Sequence, residues 1–221
     1  MANNLIERFI SSLIILPIAL LFIINGSLFF IFFLGILFFV TSYEWIRMSK
    51  KKFLYKIFGI IFLILSFYSA FLLRDYAGLN FFLFIILISI FTDIGGYIFG
   101  KFFKGPKLTK IGPNKTYSGA IGSLIMPVFA GLLYIQYFEL PLGVIVPIKL
   151  DAISNNFDLT FLIMTLSISI ISQLGDLTIS YFKRLSKIKD TGKILPGHGG
   201  LLDRVDGLIF VIPTSYLFIV L

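Results

Sequence analysis

Long apolar blocks separated by short polar stretches dominate the pattern of this chain. A helix needs about 20 residues to cross the hydrocarbon core of a bilayer, which is about 30 Å thick. Seven blocks are candidates for such helices: residues 9–24, 27–43, 53–73, 79–99, 117–138, 159–177 and 207–221. The first two meet at an Asn25-Gly26 turn, and these two and the last are short enough to need flanking residues or a thinned bilayer.

The blocks predict an all-α fold, a polytopic integral membrane helical bundle of seven transmembrane helices, with eight or nine as the upper limit. We expect one membrane domain over residues 1–221. Its N-terminal spans lie in 1–78, and its catalytic spans lie in 79–221. The apolar stretch 140–150 contains Pro141, Gly143 and Pro147 and is too short to span, so we interpret it as interfacial or re-entrant.

The distribution of positive charge tests this count. With the N-terminus in the cytoplasm, all of the 19 Lys and Arg residues except Arg74 and Lys149 lie on the inner side. This asymmetry satisfies the positive-inside rule, and an eighth full span at 140–150 would spoil it. The cytoplasmic segments 101–116 and 180–206 are the longest polar stretches, so chemistry is expected there.

The composition excludes several classes of protein and site. Only 14% of the residues are charged and 58% are hydrophobic, whereas a soluble domain carries about 25% charged residues. The net charge of +8 would also suit nucleic acid, but the cations flank apolar blocks, which favours anionic lipid and no nucleic-acid partner. The absence of cysteine excludes thiolate chemistry, and the single histidine excludes a His-cluster metal site. The N-terminal block lacks an Ala-x-Ala pattern, so we interpret it as a retained span.

Three aspartates are expected at one membrane surface. Asp176 ends the sixth span on the inside, and Asp203 and Asp206 precede the seventh. Hard oxygen ligands at this position suit Mg²⁺, which binds through one or two carboxylates plus substrate phosphates. The alternative is that Asp203 and Asp206 only cap a helix N-terminus, where the helix dipole favours negative charge.

Three other features indicate a functional site, and two of them suit phosphate binding. The glycines of residues 196–200 let the backbone approach a ligand and direct N–H groups at phosphate oxygens, although a flexible turn would explain them equally well. Asp93 lies inside the fourth span, where an ionisable residue is functional by default or else pairs with a cation. Lys115 opens the fifth span and opposes the helix dipole, which an anionic ligand would relieve. The lysines of 50–52 and 101–110 are better explained by topology.

The chain resembles the phosphatidate cytidylyltransferase family, also called the CDP-diacylglycerol synthases. The C-terminal pattern of that family is matched by Ser180, Lys183, Arg184, Lys189, Asp190, Gly192, Pro196, His198, Gly199, Gly200, Asp203, Arg204 and Asp206. Gly175-Asp176-Leu177 precedes it, and Asp93-x-Gly95-x-Tyr97 and Pro113-x-Lys115-Thr116-x-x-Gly119 match upstream elements. The chain departs from the family at Gly112, usually serine, and at Ile179, usually an acid.

The resemblance implies that phosphatidic acid attacks the α-phosphorus of CTP, giving CDP-diacylglycerol and pyrophosphate at the cytoplasmic face of a bacterial inner membrane. It implies Mg²⁺ on Asp176, Asp203 and Asp206, with a monovalent cation as a further candidate, and it suggests a homodimer among membrane lipids. The residues with implied catalytic roles are Asp176, Lys183, Arg184, Asp190, His198, Asp203, Arg204 and Asp206. Those with implied substrate-binding roles are Asp93, Lys115, Thr116, Ser180, Lys189, Gly199 and Gly200.

Two other functions are weighed against this one. A CDP-alcohol phosphotransferase carries Asp-Gly-x-x-Ala-Arg, but Asp206-Gly207 continues into Leu208-Ile209-Phe210. A transporter would show inverted repeats and polar residues at the middle of the membrane, whereas no repeat is evident and the polar residues crowd one face.

Overall fold

The computed structural model of the chain describes residues 2–49, 53–109, 112, 115–138, 159–194, 197 and 199–220. This part of the chain is helical and contains no strand, and an isolated bridge joins Lys107 and Thr116. The helices are α1 (Ala2–Asn25), α2 (Ser27–Met48), α3 (Phe53–Phe103), α4 (Tyr117–Tyr137), α5 (Leu159–Leu185), α6 (Leu202–Val205) and α7 (Leu208–Val220). The prediction of an all-α fold is confirmed.

Four of these helices, α2, α3, α4 and α5, are long and apolar enough to cross a membrane. The apolar parts of α1, Ile15–Asn25, and of α7 are shorter than a full span. Each predicted apolar block corresponds to part of a helix, but the count of seven spans stays a prediction. The predicted re-entrant stretch 140–150 lies outside the described residues.

The 51-residue helix α3 contains two of the predicted blocks and is interrupted at one position. Gly78 has φ 82° and ψ 171°, a backbone conformation in which glycine avoids the steric cost that a side chain would bring. The interruption falls between blocks 53–73 and 79–99. Gly26, with φ 63°, separates α1 from α2 in the same way, at the turn that the sequence predicts.

Large apolar side chains point outward from the helices. On α2 alone, Leu28, Phe29, Phe32 and Phe39 are between 62% and 77% exposed. A soluble protein rarely presents so continuous an apolar surface. These faces are therefore those of a membrane protein whose helices meet lipid.

The chain divides into two compact units, each built from separated stretches of sequence. The first unit comprises Met1–Phe71 and Ile179–Asp206. Within its N-terminal stretch, the indole Nε1 of Trp45 on α2 donates to the carbonyl oxygen of Tyr55 near the start of α3, at 2.9 Å. The same indole packs edge-on against Phe182, with ring centroids 5.0 Å apart, and the Ser186 hydroxyl donates to the carbonyl of Met48 at 2.8 Å.

The second unit comprises Leu72–Thr178 and Gly207–Leu221. Its aromatic centre is Phe84, fully buried, whose ring lies 5.7 Å from that of Tyr134 and 6.0 Å from that of Phe161. The Tyr134 hydroxyl donates to the carbonyl of Asn80 at 2.9 Å, and the buried Ser169 hydroxyl donates to the carbonyl of Ser123 at 2.6 Å. Parts of α3, α4 and α5 are thus joined by aromatic packing and interhelical hydrogen bonds.

Glycines bring the C-terminal half of α3 against the start of α4. A Cβ atom on Gly96 would lie 2.6 Å from the Ser123 hydroxyl, and one on Gly119 would lie 2.8 Å from the Gly96 carbonyl oxygen. A Cβ on Gly122 would overlap the side chain of Phe99 and lie 2.7 Å from the Gly95 carbonyl oxygen. Small residues are used in membranes for this purpose, because lipid supplies no hydrophobic force between helices and association depends on close packing.

This contact predicts the effect of a single methyl group. We expect Gly122→Ala to destabilise the protein by about 1–3 kcal/mol, since α3 and α4 must separate to admit the Cβ. The matched control is Gly35→Ala on α2, where a Cβ would meet nothing within 4 Å. This control should be neutral or gain up to about 1 kcal/mol, because alanine is the better helix former. Thermal unfolding in detergent, followed by circular dichroism, measures both, and equal melting temperatures would contradict the prediction.

Candidate active site

A cavity of about 240 Å³ in the second unit collects polar side chains from three helices. The carboxylates of Asp93 and Asp176 line it together with the Lys115 ammonium. An apolar helical unit with two carboxylates, an ammonium and several neutral polar groups around one space has the composition of a site for a phosphate ligand and its counter-ion. The neutral polar residues that line the cavity are Tyr97, Thr116, Ser123 and Gln173.

The local sequence explains how these side chains reach the cavity. Asp93 stands one turn before Gly96 and two turns before Gly100, whose missing side chains let α3 approach α4. Thr116 is the N-cap of α4, and its side-chain oxygen accepts the Gly119 amide at 3.1 Å. The cap fixes the start of the helix and therefore the position of Lys115 directly before it.

Hydrogen bonds connect residues before and after Gly112 in the segment that precedes this cap. The Leu108 amide donates to the Lys115 carbonyl at 2.8 Å, and the Tyr117 amide donates to the Pro106 carbonyl at 3.2 Å. The amide of Gly112, one of the two departures from the family pattern, donates to the Thr109 hydroxyl at 3.1 Å. These bonds hold Lys115 at the edge of the cavity.

The strongest contact at the cavity is an ion pair. The ammonium of Lys115 lies 2.5 Å from a carboxylate oxygen of Asp176, with both side chains a little under one third exposed. Asp176 belongs to a polar stripe on α5 that also includes Ser169, Ser172 and Gln173, spaced by three or four residues and therefore on one helix face. The predicted partner for Lys115 was an anionic ligand, and in the structure an anion of the protein holds this place.

A second arrangement, in the first unit, surrounds Asp203. Its Oδ1 accepts from the Lys183 ammonium at 2.8 Å. Its Oδ2 accepts from the amide of Thr191 at 2.8 Å and from that of Gly200 at 3.2 Å. Both side chains of the ion pair are largely buried, at 13% and 9% exposure. The carboxylate is therefore held by three donors, and part of its role is structural. The two amides that it accepts, those of Thr191 and Gly200, precede α6, so this is not the helix capping weighed from the sequence.

A larger groove of about 760 Å³ also lies in the first unit. Lys187, Lys189 and Lys193 line it with Arg47 of α2 and the acid Asp190. Positive charge predominates among these lining residues and suits an anionic ligand. Lys189 and Asp190, both predicted site residues, thus lie together and are solvent-exposed.

The remaining predicted site residues are distributed as follows. Ser180 and the exposed Arg184 lie on the last turns of α5, Arg204 is exposed on α6, and Asp206 is 8% exposed directly after it. Gly199 has φ 89°, which favours glycine, and Gly200 is buried. His198 lies outside the described residues, as does Pro196.

Gly200 has a reason to be glycine that involves no ligand. A Cβ there would overlap the Thr191 hydroxyl and lie 2.8 Å from a carboxylate oxygen of Glu44. Its N–H points to Asp203, as given above. The predicted approach of Gly199 and Gly200 to phosphate stays a prediction.

The donor set can be compared with what Mg²⁺ requires. Within the described ranges, no three His, Cys, Asp or Glu side chains are grouped closely enough to hold a metal ion. Asp176 belongs to the second unit, whereas Asp203 and Asp206 belong to the first, so the predicted set of three stays a prediction. Mg²⁺ is commonly bound by one or two carboxylates plus substrate phosphates, and Asp93 and Asp176 at one cavity fit that smaller requirement.

Sequence reasoning missed four polar residues. Ser123 and Gln173 line the cavity. Thr191 donates its amide to Asp203, and Glu44 accepts from the Thr191 hydroxyl. The spacing of Ser169, Gln173 and Asp176 within an apolar block was a usable signal for Gln173. Nothing local in the sequence marks Glu44.

Comparison with known proteins now adds the family. The phosphatidate cytidylyltransferase of Brucella suis biovar 1 is 44% identical over 138 residues, which cover 62% of this chain and 45% of that protein. The phosphatidate cytidylyltransferase of Staphylococcus haemolyticus is 38% identical over 144 residues, which cover 65% and 50%. The chain spans about half the length of the curated relatives it matches. The Cytidylyltransferase family model matches residues 52–221, well over half of the chain, and this protein therefore belongs to the cytidylyltransferase family.

Proposed function

We propose that this protein is a phosphatidate cytidylyltransferase. A phosphate oxygen of phosphatidic acid bonds to the α-phosphorus of CTP, and the bond from that phosphorus to the bridging oxygen of the β-phosphate breaks. The products are CDP-diacylglycerol and pyrophosphate. The observation that carries the proposal is the match to the family together with a cavity that unites Asp93, Lys115 and Asp176.

The chemistry requires positioning and charge neutralisation more than proton transfer. Phosphatidate is largely ionised near neutral pH, so the attacking oxygen needs no strong general base. The charge that builds on the transferring and leaving phosphates must be balanced by fixed cations. Lys115 is a candidate in the second unit, and Lys183, Arg184 and Arg204 are candidates in the first.

Mg²⁺ is the proposed cofactor. Asp176 would hold it, with Asp93 as the second carboxylate of the cavity, and the predicted ligands Asp203 and Asp206 remain part of the proposal. When bound, the ion supplies positive charge to the triphosphate and orients it. Lys115, which faces Asp176, would then be available to a substrate phosphate. Asp190, Lys189 and Ser180 are proposed for substrate contacts, and the monovalent cation and the homodimer are carried forward as proposals.

We also propose the membrane arrangement given by the charge pattern. Seven spans would cross a bacterial inner membrane, with the N-terminus and the polar segments 101–116 and 180–206 in the cytoplasm. Supporting this, each part of α3 on either side of Gly78 has about 25 residues, or about 37 Å of helix, which exceeds the hydrocarbon thickness.

The activity is tested with purified protein in mixed micelles containing phosphatidate, radiolabelled CTP and Mg²⁺. We expect label to move into the lipid-soluble fraction as CDP-diacylglycerol, with one pyrophosphate released for each product. If the folded protein binds CTP but forms no lipid-soluble label with phosphatidate, the proposed reaction is wrong.

In the same assay, Asp176→Asn should lower kcat by about 100-fold or more, because a fixed charge at the reacting phosphates is lost. Lys115→Ala should also lower kcat/KM for CTP. The matched control for the lysine is Lys101→Ala, which removes an exposed lysine at the end of α3 that donates to the Tyr97 hydroxyl at 3.4 Å. Wild-type kinetics for Asp176→Asn would remove this carboxylate from the site.

The orientation is tested by single cysteines, since the chain has none of its own. Asp75→Cys lies at the end of the first part of α3, just before Gly78, and Lys101→Cys lies near the end of the second part. Both positions are exposed. A thiol reagent that cannot cross membranes should label Asp75→Cys in intact spheroplasts and Lys101→Cys only in inverted vesicles. Labelling of both cysteines from the same side would contradict the proposed arrangement.

A further inference from the structure

Glu44, near the C-terminal end of α2, is a buried carboxylate that the proposed reaction does not use. Only 1% of the residue is exposed. Its Oε2 accepts from the Thr191 hydroxyl at 3.0 Å and from the Leu202 amide at 2.8 Å. Its Oε1 accepts from the Leu201 amide at 3.0 Å. A charged group at this depth is stable only when donors replace the lost water, and here three do so.

The loop that supplies these donors is shaped around the carboxylate. A Cβ on Gly192 would overlap Glu44 Oε1, and a Cβ on Gly200 would lie 2.8 Å from Oε2. The two glycines therefore let the backbone close over the Glu44 side chain from two directions. Leu201 is the N-cap residue of α6 and makes no side-chain cap, so Glu44 satisfies the amides at the start of this short helix from a distant part of the chain.

The residues that Glu44 holds are also those that hold Asp203. Thr191 donates its hydroxyl to Glu44 and its amide to Asp203 Oδ2. Gly200, packed against Glu44, donates its amide to the same Oδ2, and Lys183 occupies Oδ1. Glu44 and Asp203 are thus connected through one threonine and one turn of backbone, with no direct contact required between the two carboxylates.

We infer that Glu44 is a positioning residue for the reaction: it fixes Thr191 and the backbone from Gly200 to Leu202 so that the Asp203 carboxylate is held in one orientation. The inference rests on the proposed function, in which Asp203 serves the phosphates or their counter-ion. Glu44 precedes residues 52–221, the part of the chain that the family model matches.

A carboxylate is the group that this position requires. Three donors converge on it, and an ionised carboxylate offers only acceptors. The amide side chain introduced by Glu44→Gln would keep one oxygen and turn an NH₂ group toward at least one backbone N–H, so that at most two of the three bonds survive. The variant changes hydrogen bonding with little change in volume, which makes it the informative substitution.

The first readout is hydrogen–deuterium exchange of the backbone amides in the full-length protein. In Glu44→Gln, one of the Leu201 and Leu202 amides loses its own acceptor, so faster exchange of that amide is trivial. The Thr191 and Gly200 amides bind Asp203, and we expect them to exchange faster as well.

The matched control for this exchange experiment is Trp45→Phe on the same helix. It loses the bond to Tyr55 and some buried volume, but Trp45 accepts from none of the four amides. The variant should lower the melting temperature and leave the exchange of the Thr191 and Gly200 amides unchanged.

The second readout is kinetic. We expect Glu44→Gln to lower kcat by about 10- to 100-fold, the usual effect of removing a group that orients a ligating side chain, with the KM for phosphatidate unchanged. Trp45→Phe should retain kcat. Thr191→Val removes the hydroxyl that bonds to Glu44 and should lower kcat, whereas Thr191→Ser keeps the hydroxyl and should retain it. If Glu44→Gln does not fold, the comparison of Thr191→Val with Thr191→Ser tests the inference in its place.

The outcomes separate the two proposals. If wild-type protein makes no CDP-diacylglycerol, the proposed function fails, and exchange at Thr191 and Gly200 alone decides whether Glu44 positions the loop. Wild-type protection of these two amides in Glu44→Gln, or kinetics of Thr191→Val equal to those of Thr191→Ser, overturns the inference. Faster exchange with a kcat that falls no further than in Trp45→Phe would make Glu44 structural and overturn it too.

Discussion

The need to neutralise carboxylates in an apolar environment is the constraint on which the polar part of this structure depends. An ionised carboxylate away from water costs several kcal/mol unless cations or N–H donors replace its hydration. Glu44 receives three donors, Asp203 receives three, and Asp176 receives the Lys115 ammonium. For Glu44 and Asp176 these donors come from segments remote in sequence. For Glu44, which is 1% exposed, the carboxylate is buried only when the distant segment closes over it.

Close packing of helices follows from the same environment. Lipid rewards no contact between apolar faces, so α3 and α4 associate where glycines allow backbone atoms to approach. Where Gly96 and Gly119 bring the two helices together, the Ser123 hydroxyl and the Gly96 carbonyl lie inside the helix contact. A larger distance between the helices would leave these polar groups facing lipid. Asp93 lies one turn from Gly96, and Lys115 lies directly before α4. The close packing of α3 against α4 therefore also places these two side chains at the polar cavity.

The sequence was informative wherever a property is carried by a continuous run of residues. The apolar blocks located the helices, and Asn25-Gly26 marked the turn before α2. Contacts between distant residues were not accessible in this way. Glu44 directly follows the apolar block 27–43 and was not singled out, and its partners lie 147 to 158 residues away. The pairing of Lys115 with Asp176 was missed because each residue was interpreted through a ligand.

The two ammonium–carboxylate pairs differ in a way that bears on function. Lys115 and Asp176 are nearly one third exposed, and a pair of this kind contributes only about 0–1 kcal/mol. Breaking this ion pair therefore costs little, as the proposed binding of a phosphate to the ammonium and of Mg²⁺ to the carboxylate would require. Lys183 and Asp203 are mostly buried, and two backbone amides add to the pair. Separating Lys183 from Asp203 would leave buried charges without partners. The Asp203 carboxylate is therefore fixed, whereas the Asp176 carboxylate can exchange its partner.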